Sequence, residues 1–134
     1  YILHPLRVMG NLVLNDPELQ QIAILHDVVE DCPEWNIQKL RESDFSERVL
    51  AALTLMTKSQ ADSEAGEEGY YNYIRRMFSN LDAMLVKIAD LTDNNQLSRM
   101  KGLSDSDILR TMKYMKSYAM LRDEVRKSFP HISF

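Results

Sequence analysis

Apolar residues recur along this chain at steps of three and four, and two-residue alternation is scarce, which predicts helices throughout and an all-α class. The spacing predicts a first helix from about 5 to 14, with Pro5 tolerated in its first turn. A second begins at Asn15-Asp16-Pro17, where Asp16 can cap and Pro17 can take the first helical position, and Pro33 stops it. Shorter helices are expected over residues 36–41 and 45–56. Residues 58–69, KSQADSEAGEEG, are polar, acidic and glycine-punctuated, and they read as a mobile loop and candidate lid. Helices resume over 70–78 and from 81 to about 96. A long final helix starts at SDSD, where Ser104 and Asp107 are spaced as a capping box, and its Met112, Met115 and Met120 read as an apolar packing stripe.

Length and charge narrow the function. With 134 residues and 45% hydrophobic content, the chain fits one domain over 1–134. Sixteen basic against twenty acidic residues, with no Lys/Arg block, speak against a nucleic-acid groove or an anionic membrane surface. A small anionic ligand remains compatible, since local charge decides that. Cys32 is the only cysteine, which excludes an internal disulfide framework or a multi-thiolate zinc site and favours a cytoplasmic location. No apolar run approaches the roughly 20 residues that span a bilayer. Oligomeric state is not readable from the sequence.

The segment AILHDVVED, residues 23–31, sets charge among apolar positions. On one helix His26, Asp27, Glu30 and Asp31 would share an arc of about 140° beside Ile22, Leu25 and Val29. Read alone, they fit either a solvated acidic face or a cation site, because grouped buried carboxylates repel unless a cation compensates them. The mixed imidazole and carboxylate donors suit Mn²⁺, Fe²⁺ or Zn²⁺ better than Mg²⁺ or Ca²⁺. His4, at the mouth of the first helix, reads as a capping or surface residue or as an inward-pointing imidazole. Asp90 lies in an apolar helix with Lys87 and Asn94 on the same side, so its partner is Lys87 or a site.

The words HPLRV, LHDVVED, LTLMTK and VKIADLTDN occur here in one chain and in one order. Together they resemble the HD superfamily of metal-dependent phosphohydrolases, and in particular the hydrolase domain of the RelA/SpoT homologues, which removes the 3′-pyrophosphate from guanosine tetra- and pentaphosphate. The resemblance runs from His4 to roughly Arg99. It implies a single-domain helical bundle in which His4, His26, Asp27 and Asp90 bind one divalent ion, Mn²⁺ first, with Fe²⁺ or Zn²⁺ as alternatives. Glu30 and Asp31 take the places of the acidic pair that positions or activates water, and Asn94 that of a substrate-contacting asparagine. The family also has a helix ahead of its first histidine motif, which here would precede Tyr1.

The chain departs from that pattern at Leu91, where the family carries arginine, and at Asp93, where it usually carries histidine. The missing guanidinium weakens the match to the guanosine substrate more than to the metal site. In this respect the chain looks more like small stand-alone HD proteins. Lys87 and Lys58 are candidate phosphate contacts, with Arg75 and Arg76 behind them, since a polyphosphate needs positive charge beyond a metal. The tyrosines of GYYNYI read as core before base-stacking platform. Cys32 lacks the surroundings of a nucleophile, and His131 has no role. The expected function is a phosphohydrolase acting on a nucleotide-like anion, with guanosine tetraphosphate 3′-pyrophosphohydrolase as its specific form. Phosphomonoesterase or phosphodiesterase action on another nucleotide, and a non-catalytic nucleotide or metal sensor, are the alternatives.

Overall fold

The stretch LDAMLVKIADLTDN is apolar on nearly every side, and a helix of that kind belongs inside a bundle. In the computed structural model, which describes residues 2–96 and 102–134, this stretch forms α8 (Leu81–Asn94). Nine of its residues are buried, including Asp90 and Asp93. It packs against α1 (Leu3–Gly10), α2 (Pro17–Leu25), α5 (Glu47–Met56) and α9 (Asp105–Ser128). Two short helices, α3 (Val28–Asp31) and α4 (Ile37–Glu42), lie between α2 and α5. The order is completed by α6 (Gln60–Glu64), α7 (Gly66–Arg76) and a 3₁₀ turn over Met77–Ser79. The fold is all-α, with no strand among the described residues, and Val8, Leu19, Ile22, Leu53, Ile74, Met84 and Leu121 meet in one core. No described helix is long and apolar enough to cross a membrane.

Several ends are set by the chemistry the sequence announced. Asp16 accepts from the Glu18 and Leu19 backbone N–H groups ahead of Pro17, and Ser104 and Asp107 form a reciprocal capping box. Other expectations are corrected. Helix α1 begins two residues earlier and stops at Gly10 rather than residue 14, which moves His4 from the helix mouth into its first turn. The segment 58–69 is not a loop or lid: Ser59 and Asp62 make a second capping box that starts α6, and α7 follows directly. Gly66 supplies the positive φ of 65° between the two helices. At Gly69 an added Cβ would lie 2.1 Å from the Asp62 carbonyl oxygen, so only glycine lets α7 approach α6 so closely. Arg76 closes the same junction with two bonds to the Asp62 carboxylate, at 2.9 and 2.5 Å, so it is a structural clamp rather than a free phosphate contact.

The methionine stripe is also corrected in part. Met120 packs partly against the core, whereas Met112 and Met115 stand on the solvent side of α9 at 61% and 60% exposure. The core-facing side of that helix is carried instead by Ser117, Leu121 and Val125. The tyrosines Tyr70, Tyr71 and Tyr73 are buried, as helical spacing predicted. The end of the resemblance, at roughly Arg99, lies outside the described residues.

Candidate functional site

Three helical segments bring the candidate ligands together. The HDxxED segment is not one continuous helix: α2 ends at Leu25, His26 and Asp27 form a turn with helix-like dihedrals, and α3 starts at Val28. That break leaves the Ala23 carbonyl at the end of α2 to accept from His26 Nδ1 at 2.6 Å. On the opposite side, α1 leans across α8 and carries His4 to Asp90 and Asp93, one helical turn apart.

The resulting distances define a small cluster. His4 Nε2 lies 3.0 Å from Asp90 Oδ1 and 3.4 Å from Asp27 Oδ2. His26 Nε2 lies 3.3 Å from Asp27 Oδ1 and 3.5 Å from Asp90 Oδ1. One donor atom each from His4, His26 and Asp90 falls within 4.8 Å of the others, and Asp27 borders the group through both imidazoles. The Nδ1 atoms are committed outward, to Asp93 at 2.6 Å and to Ala23, both acceptors, so each Nδ1 carries a proton in the neutral ring. Both Nε2 lone pairs then face carboxylate oxygens, and His26 Nε2 is buried with no hydrogen-bond partner among the described residues. Lone pairs gathered at about 3 Å repel unless a cation lies among them, and neighbouring ligands of an ion at about 2.1 Å have that spacing. The residues therefore fit a divalent metal.

Without a metal, protons take up part of the same charge. Contact with Asp90 raises the His4 pKa to about 9, and Asp93 adds to the effect. Burial opposes a charge on His26, but Asp90 and Asp27 outweigh it and its pKa also rises. Burial and the nearby Asp90 push Asp27 up. Asp90 goes the other way: burial would raise it, yet Lys87 and the two histidines hold it well below the usual carboxylate range.

The remaining predicted residues surround this cluster in distinct ways. Lys87 Nζ donates to Asp90 Oδ2 at 2.8 Å and Asn94 Nδ2 donates to Asp90 Oδ1 at 3.1 Å, so both hold the central aspartate. Glu30 and Asp31 are exposed on α3. Glu30 Oε1 accepts the backbone N–H of Lys58 at 2.8 Å, which ties α3 to the start of α6. Asp31 is close enough to raise the Asp27 pKa by its charge. Leu91, in place of the expected arginine, is wholly buried in the core.

Sequence reasoning singled out Asp93 only as a departure from the family pattern, and it missed the pairing of Arg7 with Asp93 and a groove. Arg7 Nε donates to Asp93 Oδ1 at 2.7 Å, beside the His4 bond to Oδ2. The available signal was spacing: Arg7 follows His4 by three residues, and Asp93 follows Asp90 by three. The groove, of about 790 Å³, lies between α6–α7 and the first half of α9 and is lined by Lys58, Tyr70, Arg110, Lys113 and Lys116 among others. Of its acids, Asp62 is paired with Arg76 and Glu67 with the Tyr71 hydroxyl. Burial lowers the Lys113 pKa, with repulsion from Lys58 next in weight. The Tyr70 ring has Lys58 and Lys113 at 5.7 and 4.5 Å and Lys87 at 5.9 Å, so one aromatic side chain lies between the groove and the Asp90 partner.

No family model matches this chain. Over 100 residues, 70% of its length, it is 32% identical to a guanosine-3′,5′-bis(diphosphate) 3′-pyrophosphohydrolase from Vibrio cholerae serotype O1. The matched region is 14% of that relative, so the chain spans a small part of the protein it resembles.

Proposed function

We propose that this protein is a divalent-metal-dependent phosphohydrolase of the HD type acting on a nucleotide-like polyphosphate, with guanosine tetraphosphate 3′-pyrophosphate hydrolysis as its specific form. The observation that carries the reading is the pair of Nε2 lone pairs facing the carboxylates of Asp27 and Asp90. His4, His26, Asp27 and Asp90 would hold the ion, and Mn²⁺ suits their donor set. When bound, such an ion supplies Lewis acidity toward a phosphoryl oxygen and lowers the pKa of water. Similarity to the Vibrio cholerae pyrophosphohydrolase supports the substrate class.

The chain's own groups divide the remaining work. Glu30 is the general base that takes a proton from the attacking water, and Asp31 extends the acidic rim that orients it. Asn94 and Lys87 keep Asp90 charged and aimed, which leaves Lys58 and the basic groove to receive the substrate's outer phosphates. Tyr70, between the groove and Lys87, sets the distance between anchored and reacting groups. The groove lining holds Lys58, Arg110, Lys113 and Lys116 against Asp62 and Glu67, which favours an anion over a neutral nucleoside.

One observation favours a different nucleotide as substrate. Leu91 is part of the core, so no guanidinium reaches the site from that position. A panel of guanosine tetraphosphate, nucleoside triphosphates, monophosphates and cyclic nucleotides, each with added Mn²⁺, tests both versions. Turnover of the tetraphosphate with pyrophosphate release supports the first, and turnover restricted to another nucleotide supports the second. No turnover of any member would sink the enzymatic reading.

A further inference from the structure

We infer that Asp93 and Arg7 form a positioning pair that sets the tautomer and aim of His4 in the cation site, an inference that rests on the metal reading above. Helix α1 offers His4 and Arg7 three residues apart, and α8 offers Asp90 and Asp93 three residues apart. Each pair lies on one helix face, and the two faces interlock. His4 bridges the aspartates, with Nδ1 on Asp93 at 2.6 Å and Nε2 on Asp90 at 3.0 Å. Asp93 in turn bridges His4 and Arg7, one through each carboxylate oxygen. It is only 3% exposed, so this geometry is fixed by packing as well as by charge.

The two imidazoles are consequently unequal. His26 gives its Nδ1 proton to a neutral backbone carbonyl, whereas His4 gives its own to a carboxylate. A carboxylate acceptor holds the Nδ1–H tautomer more firmly and makes Nε2 a more basic donor. It also adds a third acid near Asp27 and Asp90, and a buried acid without a counter-charge is costly. Arg7 offsets that cost at Asp93 as Lys87 does at Asp90, so each buried aspartate of α8 has its own cation. Arg7 has no ion pair with the other two aspartates in this arrangement, so its influence on a bound ion passes through Asp93.

Titration of the metal-free protein with Mn²⁺, with free ion followed by electron paramagnetic resonance, tests the pair. Asp93→Asn keeps a hydrogen-bond acceptor and removes the charge, and it should weaken Mn²⁺ binding by about 10–100-fold. Arg7→Met should weaken it several-fold, and the double variant should bind no more weakly than Asp93→Asn alone. Unchanged affinity in Asp93→Asn, or a fully additive loss in the double variant, would overturn the inference, as would lowered melting temperatures with Mn²⁺ affinity intact. Nitrogen NMR of the three histidines in the Zn²⁺-loaded wild type needs no variant. It should show His4 protonated at Nδ1 with a strongly downfield proton, and an Nε2–H tautomer there would count against the pair. A wild type that takes up neither Mn²⁺ nor Zn²⁺ would instead remove the metal reading, and this inference with it.

Discussion

At the scale of single residues, the site depends on which atoms are already engaged. Glu30 has one oxygen on the Lys58 backbone, so a substitution that deletes the side chain would also loosen the α3–α6 link. Glu30→Gln keeps that acceptor and removes the proposed base. We expect it to retain metal and melting temperature while losing hydrolysis rate by about two orders of magnitude or more, measured as kcat with saturating Mn²⁺. Asp27→Ala, in contrast, should fail to retain metal by elemental analysis. His4 gives a pH signature in metal-free protein. Its folded pKa is about 9 against an ordinary 6.5, so its stabilising contribution is complete below pH 6.5 and is lost as pH rises toward 9. Thermal melts in chelator should show Tm falling across that window, and Asp90→Asn, which removes the main cause, should flatten the slope. The sequence disclosed which side chains would meet because they occur as motif words. It did not disclose Asp93 and Arg7, since their partnership needs α1 laid against α8, across 86 residues.

At the scale of elements, caps were legible and close approaches were not. Asp16 and Ser104 head the helices that the sequence reading gave them, and Asn36 and Ser46 cap two more whose ranges it gave without a cap. Polarity misled the reading of residues 58–69, because a short helix with a buried Asp62 and an exposed remainder looks like a loop in composition. The giveaway was Ser59 three residues before Asp62, a box with aspartate in the usual glutamate place. The α6–α7 junction can be probed through its glycines. Gly69→Ala should destabilise the protein by about 1–3 kcal/mol in denaturant melts, because the new methyl meets backbone. Gly10→Ala, with nothing within 4 Å of the added carbon, should be neutral or slightly stabilising. Equal effects at the two positions would contradict the packing described for α7.

At the scale of the whole molecule, the all-α class followed from periodicity, while the broken HDxxED helix and the basic groove depended on tertiary arrangement. The groove draws Lys58 and Tyr70 from one part of the chain and Arg110 and Lys113 from another, so no single window of sequence could show it. A cation shared by α1, the α2–α3 turn and α8 would stabilise only the folded chain. Melting temperature should therefore rise with Mn²⁺ concentration, by the equivalent of about 2.7 kcal/mol at a hundredfold excess over Kd, and Asp27→Ala should abolish the rise. His4 and Asp93 are hydrogen-bonded although 89 residues separate them. During synthesis His4 therefore leaves the ribosome long before α8 exists, by roughly 5–20 s at about 5–20 residues per second. Until Asp90 emerges, the nascent protein would offer a cation only an isolated imidazole and the two donors at residues 26 and 27, so under the proposed reading metal loading would be a late step that a chain interrupted before α8 could not complete.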